Sequence, residues 1–199
     1  KSPGEAQLTS NGVTATAIYY YDVTLMEKMA NLLGKPEDAR QYSELAARIK
    51  QAFNRTFWNP STRKYDRDSQ AANAVALYMG LTTPENRQQV FNNLIADIRS
   101  RNNALTAGDV GYRYVLRALE AGGASDVIYD MNCKYDTPGY GWQLAHGATA
   151  LTESWQAYGF VSNNHFMLGH LMEWLFSGLG GIRQQEDSFG FKHIVIKPE

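Results

Sequence analysis

Apolar residues recur along this chain at helical spacing, and two kinds of helix alternate. Thr14–Leu33 reads as a long helix with Leu25, Met29, Leu32 and Leu33 at i, i+4, i+7 and i+8, one apolar face. Gly34 supplies its C-terminal stop. Pro36 suits the first turn of a second helix, with Glu37 and Asp38 at its positive end. Tyr42, Leu45, Ala46, Ile49, Ala52 and Phe53 repeat the stripe, and the short link makes the two helices an antiparallel pair. Asn59-Pro60-Ser61-Thr62 is a turn. Ser69–Leu81 is different: it is rich in Ala and apolar on most sides, the mark of a helix buried on more than one face. Pro84–Asn102 is amphipathic again, with Val90, Leu94, Ile95 and Ile98 inward. Asp109–Glu120 is shorter, capped by Asp109 and ended by Gly122-Gly123, and Asp126–Cys133 is a further short helix. Phe166–Gly180 is the most apolar helix and is predicted, with Ser69–Leu81, to be among the most buried. Lys1–Ser10 leads in irregularly, and Phe191–Lys197 reads as a β-strand stopped by Pro198.

Polar-faced helices alternating with more apolar ones across short turns predict an all-α fold of two concentric layers, the inner buried and the outer half-solvated. A tetratricopeptide-like solenoid is the alternative, but no fixed repeat period supports it. The terminal strand is expected to have no partner in this chain. A lone strand with an open edge is not a stable unit, so the natural protein is expected to continue past Glu199.

Composition removes several classes of partner. The 199 residues carry 19 basic and 20 acidic side chains, a net charge of −1, with the basic ones scattered. Neither nucleic acid nor an anionic membrane surface is expected as a partner. No apolar run approaches the roughly 20 residues that span a bilayer; the nearest, Phe166–Ile182, is interrupted by His170 and Glu173. Lys1–Gln7 is polar and shows no leader pattern, and the single Cys133 forms no internal disulfide, so the compartment stays open. No Cys/His/Asp cluster and no glycine-rich phosphate loop appears. His165 and His170 are five apart, a poor spacing for shared metal ligation. No metal and no cofactor is expected.

The stretch Pro138–His170 concentrates the candidate chemistry. It holds Trp142 and Trp155, half of the four Trp, and His146, His165 and His170, three of the four His, around one carboxylate, Glu153. Aromatics, amides and hydroxyls around a lone acid suit a sugar, whose C–H faces stack on rings while polar side chains hold its hydroxyls. A buried aromatic loop between two helices is the plainer alternative.

The same residues resemble a known family, the inverting α-L-rhamnosidases. Gly147-Ala148-Thr149-Ala150-Leu151-Thr152-Glu153-Ser154-Trp155 is similar to its GAT-x-x-x-E-x-W segment, and Ser162-Asn163-Asn164-His165-Phe166 to its S-x-N-H-aromatic segment. Tyr140-Gly141-Trp142-Gln143-Leu144 resembles the aromatic-Gly-aromatic stretch before them, and Ser69–Leu77 a family inner helix. The likeness covers most of Thr14–Pro198.

The resemblance implies an (α/α)6 barrel catalytic domain followed by a β-sandwich, with residues 1–188 as part of the first and 189–199 opening the second. It implies Glu153 as general base, and His165, Trp142 and Trp155 as substrate-binding residues for a rhamnose-containing glycoside. The family's general acid lies in an earlier Asp/Glu-rich segment that has no match here; Asp66 and Asp68 do not fit it. The chain alone is therefore expected to be inactive, and to self-associate through its open helical layer or its unpaired strand. Another (α/α)6 glycosidase, or a helical module binding carbohydrate or protein without catalysis, are the rivals. A second carboxylate facing Glu153 across a pocket separates enzyme from binding module. Glu173 is a lesser candidate, better read as a rim group or an ion pair.

Overall fold

A computed structural model describes residues 5–185, 188 and 190–198; Lys1–Gly4 of the irregular lead lie outside the described residues. The chain divides into two compact units, Leu8–Leu94 and a second made of Lys1–Gln7 with Ile95–Glu199. Both are helical.

In the first unit α1 (Asn11–Leu32) and α2 (Pro36–Phe57) pair across a three-residue link. Gly34 sits at φ 66°, a left-handed turn that suits glycine. Val23 of α1 meets Ala46 and Ile49 of α2, flanked by Tyr20, Tyr42 and Leu45, so the stripe read on α2 does face its partner. The stripe read on α1 does not. Met29 and Leu32 are 52% and 73% exposed, Leu33 is exposed and Leu25 only half-buried, while Val13, Ala17, Val23 and Ala30 are buried. The physical reason is that α1 is apolar on two sides. Its small residues let α2 approach closely, and its larger ones, Ile18, Met26, Met29 and Leu33, line another side at i, i+8, i+11 and i+15.

The expected turn joins a short hairpin not foreseen in the sequence, β1 (Trp58–Asn59) against β2 (Lys64–Tyr65). Asn59 Oδ1 accepts from the Ser61 and Thr62 amides at 2.9 and 3.1 Å, an Asx turn. Tyr65 is fully buried against Phe53 and Trp58, and its hydroxyl donates to Asn54 Oδ1. Burial pushes the Tyr65 phenol up to about 12. Helix α3 (Gln70–Tyr78) is capped by Ser69, whose Oγ accepts from the Ala72 amide at 3.1 Å. Gln70 and every residue from Ala72 to Leu77 is buried, as the all-round apolar pattern predicts.

Helix α4 (Pro84–Ser100) runs from the first unit into the second, burying Val90, Leu94 and Ile98. The second unit continues with α5 (Asp109–Ala121), α6 (Ser125–Asn132) and α7 (Tyr140–Ala145). The cap of α5 is Gly108, not Asp109, which stands one residue inside. Its Oδ1 accepts from the Val110 amide at 2.8 Å, within the first turn.

The segment expected as one deeply buried helix, Phe166–Gly180, is neither continuous nor mostly buried. It is a 3-10 turn (Phe166–His170), a short α8 (Leu171–Trp174) and a π turn (Leu175–Leu179). Leu168, Trp174 and Gly178 are buried, whereas Phe166 is 82% exposed and Met172, Phe176 and Leu179 are exposed too. Gly178 has a steric reason: a Cβ there would come within 2.4 Å of the Trp174 indole. Polar contacts hold the segment to α5, which presents Asp109, Arg113, Arg117 and Glu120 at i, i+4, i+8 and i+11. Arg113 Nε and Nη2 donate to the two Glu173 oxygens at 2.9 and 3.0 Å, so Glu173 is an ion-pair residue. Glu120, buried, accepts from Arg117 Nη1 at 2.8 Å, with Ser177 Oγ at 3.1 Å and Arg183 Nη2 at 3.3 Å.

The terminal strand is real but shorter than expected, and it is paired. β4 (Ile194–Ile196) runs antiparallel to β3 (Ile182–Gln184), with Ile182 opposite Ile196 and Gln184 opposite Ile194. Gly181 (φ 62°) makes this possible, because a Cβ there would lie 1.9 Å from the Lys197 carbonyl oxygen. The strand expected to be unpaired thus has a partner on one edge, in a sheet of two strands. The expected boundary at 188/189 adjoins Phe189, which lies outside the described residues.

Candidate active site

An aromatic cluster in the second unit builds the site. Trp155 is 5% exposed and packs edge-on against Tyr112 of α5 at 4.9 Å and Tyr140 of α7 at 5.2 Å. Its indole N–H donates to the Ala107 carbonyl at 2.7 Å, tying the Glu153 segment to the residues before α5. The Tyr112 hydroxyl donates to Asn132 Oδ1 at 2.7 Å, and that of Tyr140 to the Leu168 carbonyl. Burial pushes the Tyr112 phenol well above its ordinary range and the Tyr140 phenol up to about 12, so both serve as protonated donors.

Two residues before Trp155, Glu153 is fixed by its backbone as much as by its side chain. Its amide donates to the Ser162 carbonyl at 2.8 Å, the Ser162 amide donates back to Glu153 Oε2 at 3.0 Å, and the His165 amide donates to the Leu151 carbonyl at 2.8 Å. The donor to the carboxylate is therefore Ser162. Two donors close in sequence are engaged elsewhere: Thr152 Oγ1 donates to the Ser154 carbonyl and the Trp155 indole to the Ala107 carbonyl.

Glu153, Ser154, Trp155 and Gln156 face Leu105–Asp109 across a cavity of about 200 Å³. That is below the roughly 300–1,000 Å³ of pockets for larger ligands, a size for a single sugar ring. A second acidic residue, Asp109, is among those that line it. Asp109, expected as a helix cap, is brought to Glu153 only by the fold. Asp66 and Asp68 belong to the first unit, accepting from the Ser10 amide at 3.0 Å and pairing with Lys64 at 2.6 Å. His165 stands beside Asp109, with Nε2 3.5 Å from Asp109 Oδ2, and is not among the cavity-lining residues. Trp142 is not among them either. It stacks on His146 at 4.0 Å, and its indole N–H reaches the Gln156 carbonyl at 3.4 Å, supporting the wall from outside. The Gly147-Ala148-Thr149 residues line a separate cavity of about 300 Å³. Among the described residues no group of three or more His, Cys, Asp or Glu is placed to hold a metal, and no helix is long and apolar enough to cross a membrane.

Near the site, burial and then the Arg113 guanidinium hold the His170 imidazole below its ordinary value of 6.5, against Glu173 and Asp109, which pull it up. Folding thus favours neutral His170. Its contribution to stability is complete above the unfolded value and is lost as pH falls through the lower folded one. We expect stability to drop on acidification below about pH 6.5, and His170→Gln to flatten that slope. Urea midpoints at about pH 7.5 and about pH 5.5 check it, equal slopes counting against a role for His170.

Short helices packed in sequence around a cavity lined by Glu153, Asp109 and Trp155 define a helical-hairpin domain. The chain belongs to the bacterial alpha-L-rhamnosidase family: residues 2–179 match its six-hairpin glycosidase domain. An alpha-L-rhamnosidase of Streptomyces avermitilis is 31% identical over 199 residues, covering 96% of this chain and 19% of its own length. One from Formosa agariphila is 28% identical, covering 96% and 21%. Among solved structures, the Streptomyces avermitilis alpha-L-rhamnosidase complexed with L-rhamnose superposes with a TM-score of 0.89 at 28% identity, covering 98% of this chain and 19% of that one. The alpha-L-rhamnosidase of Dictyoglumus thermophilum gives 0.88 at 32% identity, covering 100% and 24%. The chain thus spans about a fifth of the length of the curated relatives it matches.

Proposed function

We propose that the full-length protein hydrolyses terminal α-L-rhamnosides with inversion, and that Glu153 is the general base. Residues 1–188 supply part of the helical catalytic domain, and the chain from 189 opens a β-sandwich. The observation that carries this is Glu153 on the wall of a sugar-sized cavity, two residues from the Trp155 that forms the same wall. Inversion needs one carboxyl group to protonate the leaving oxygen and another, about 6.5–9.5 Å away, to take a proton from the attacking water. Glu153 takes the water's proton, as the single hydrogen bond from Ser162 leaves its other oxygen, Oε1, for that task. The leaving-group acid comes from the part of the protein outside these 199 residues, so the chain alone has no turnover. Trp155 offers an apolar wall for the sugar, with His165 and Trp142 supporting the wall around it.

A mixture of full-length protein and 4-nitrophenyl α-L-rhamnoside, followed by proton NMR, tests the reaction. The β anomer of L-rhamnose is expected first. First appearance of the α anomer would mean retention, and no release of rhamnose would remove the substrate assignment.

A further inference from the structure

We infer that Asp109 is a substrate-binding carboxylate of this cavity, accepting a hydrogen bond from a sugar hydroxyl, with His165 holding it in place; this rests on the cavity being the rhamnoside site proposed above. Asp109 lines the cavity together with Glu153, and its side chain is 38% exposed. One oxygen is already fixed: Oδ1 accepts from the Val110 amide at 2.8 Å. The other, Oδ2, faces His165 Nε2 at 3.5 Å. That nitrogen is shielded from solvent and has no hydrogen-bond partner. A buried imidazole nitrogen left without a partner is costly, so the short closing movement onto Oδ2 is favoured. Hydrogen bonds in empty sites are often long and tighten when the ligand arrives.

Held on two sides, the carboxylate keeps unused acceptor sites, since its two oxygens offer about four. Those sites need donors, and a sugar ring brings hydroxyls. A hydroxyl bonded to a carboxylate makes a charge-assisted hydrogen bond, among the stronger uncharged-ligand contacts a protein can offer. Position in the first turn of α5 also suits a negative group, because the helix dipole favours it there. The two acids of the cavity then divide the work. Glu153 acts on the water, and Asp109 holds a ring hydroxyl that takes no part in the bond being broken. Such a contact is made equally before and during reaction, so its loss falls on binding rather than on turnover.

The decisive comparison is Asp109→Asn beside Glu153→Gln in the full-length protein. Kinetics use 4-nitrophenyl α-L-rhamnoside, and calorimetry uses L-rhamnose. Asp109→Asn keeps the acceptor for the Val110 amide and removes the charge. We expect KM and the Kd for L-rhamnose to rise together by roughly 10- to 100-fold, with kcat changed by less than about threefold. Asp109→Ser, which also keeps a local acceptor, is expected to weaken binding at least as much and serves if the Asn variant folds poorly. Wild-type KM and Kd in a folded variant would overturn the assignment, as would a collapse of kcat at unchanged KM. Glu153→Gln reports separately on the base: normal turnover there would remove the base assignment whatever Asp109→Asn shows.

Discussion

Glu153→Gln is expected to lower kcat of the full-length protein at least about 10²-fold while leaving its fold and thermal midpoint unchanged. The substitution is chosen for what it keeps. Gln has the shape of Glu, and its carbonyl oxygen still accepts from the Ser162 amide that now meets Oε2 at 3.0 Å. The backbone bond from the Glu153 amide to Ser162, at 2.8 Å, does not involve the side chain. Glu153 is exposed, so no buried charge is removed and stability is expected to stay within about 0.5 kcal/mol. Only basicity disappears, and a step that needs a proton taken from water fails. Turnover of 4-nitrophenyl α-L-rhamnoside near the wild-type rate would show that another group is the base.

The largest effect on stability is expected at Trp155. Trp155→Ala removes a ring that is 5% exposed and packed on its edges by Tyr112 and Tyr140, and it is expected to cost about 3–5 kcal/mol. Trp155→Phe keeps much of the ring but leaves the Ala107 carbonyl without its indole donor, a loss of about 1–3 kcal/mol. Denaturant midpoints should therefore fall in the order wild type, Phe, Ala. An Ala variant within about 1 kcal/mol of wild type would mean that the cluster does not hold the wall together.

The sequence made the second helix and the Ala-rich α3 legible, because one face or all faces of each are plainly apolar. It misled at α1 and at Phe166–Gly180 for a shared reason. Periodicity reports that a side chain is apolar, not which neighbour covers it, and both segments carry more apolar surface than the described residues bury. The unforeseen pairing of Ile182–Gln184 with Ile194–Ile196 escaped because three residues give too short a run to read. In the cavity, Glu153 and Trp155 lay inside a motif and were visible. Asp109 was not, since its role depends on packing between segments far apart in the chain, joined by the Trp155–Ala107 bond. Trp142 and Trp155 looked alike as letters; the direction of each indole N–H separates them.

The loop after Glu153 is fastened at its base by the reciprocal Glu153–Ser162 bonds and by His165 on Leu151. Its tip carries Tyr158 and Phe160, exposed and stacked on each other at 5.0 Å. Lengthening a flexible loop is cheap, about 0.6 kcal/mol for each doubling. The tip can therefore be extended, shortened or rewritten while the acid at its root keeps its place. Placement of the acid and composition of the tip are thus decoupled: sequence change among residues 157–161 can accumulate without moving Glu153.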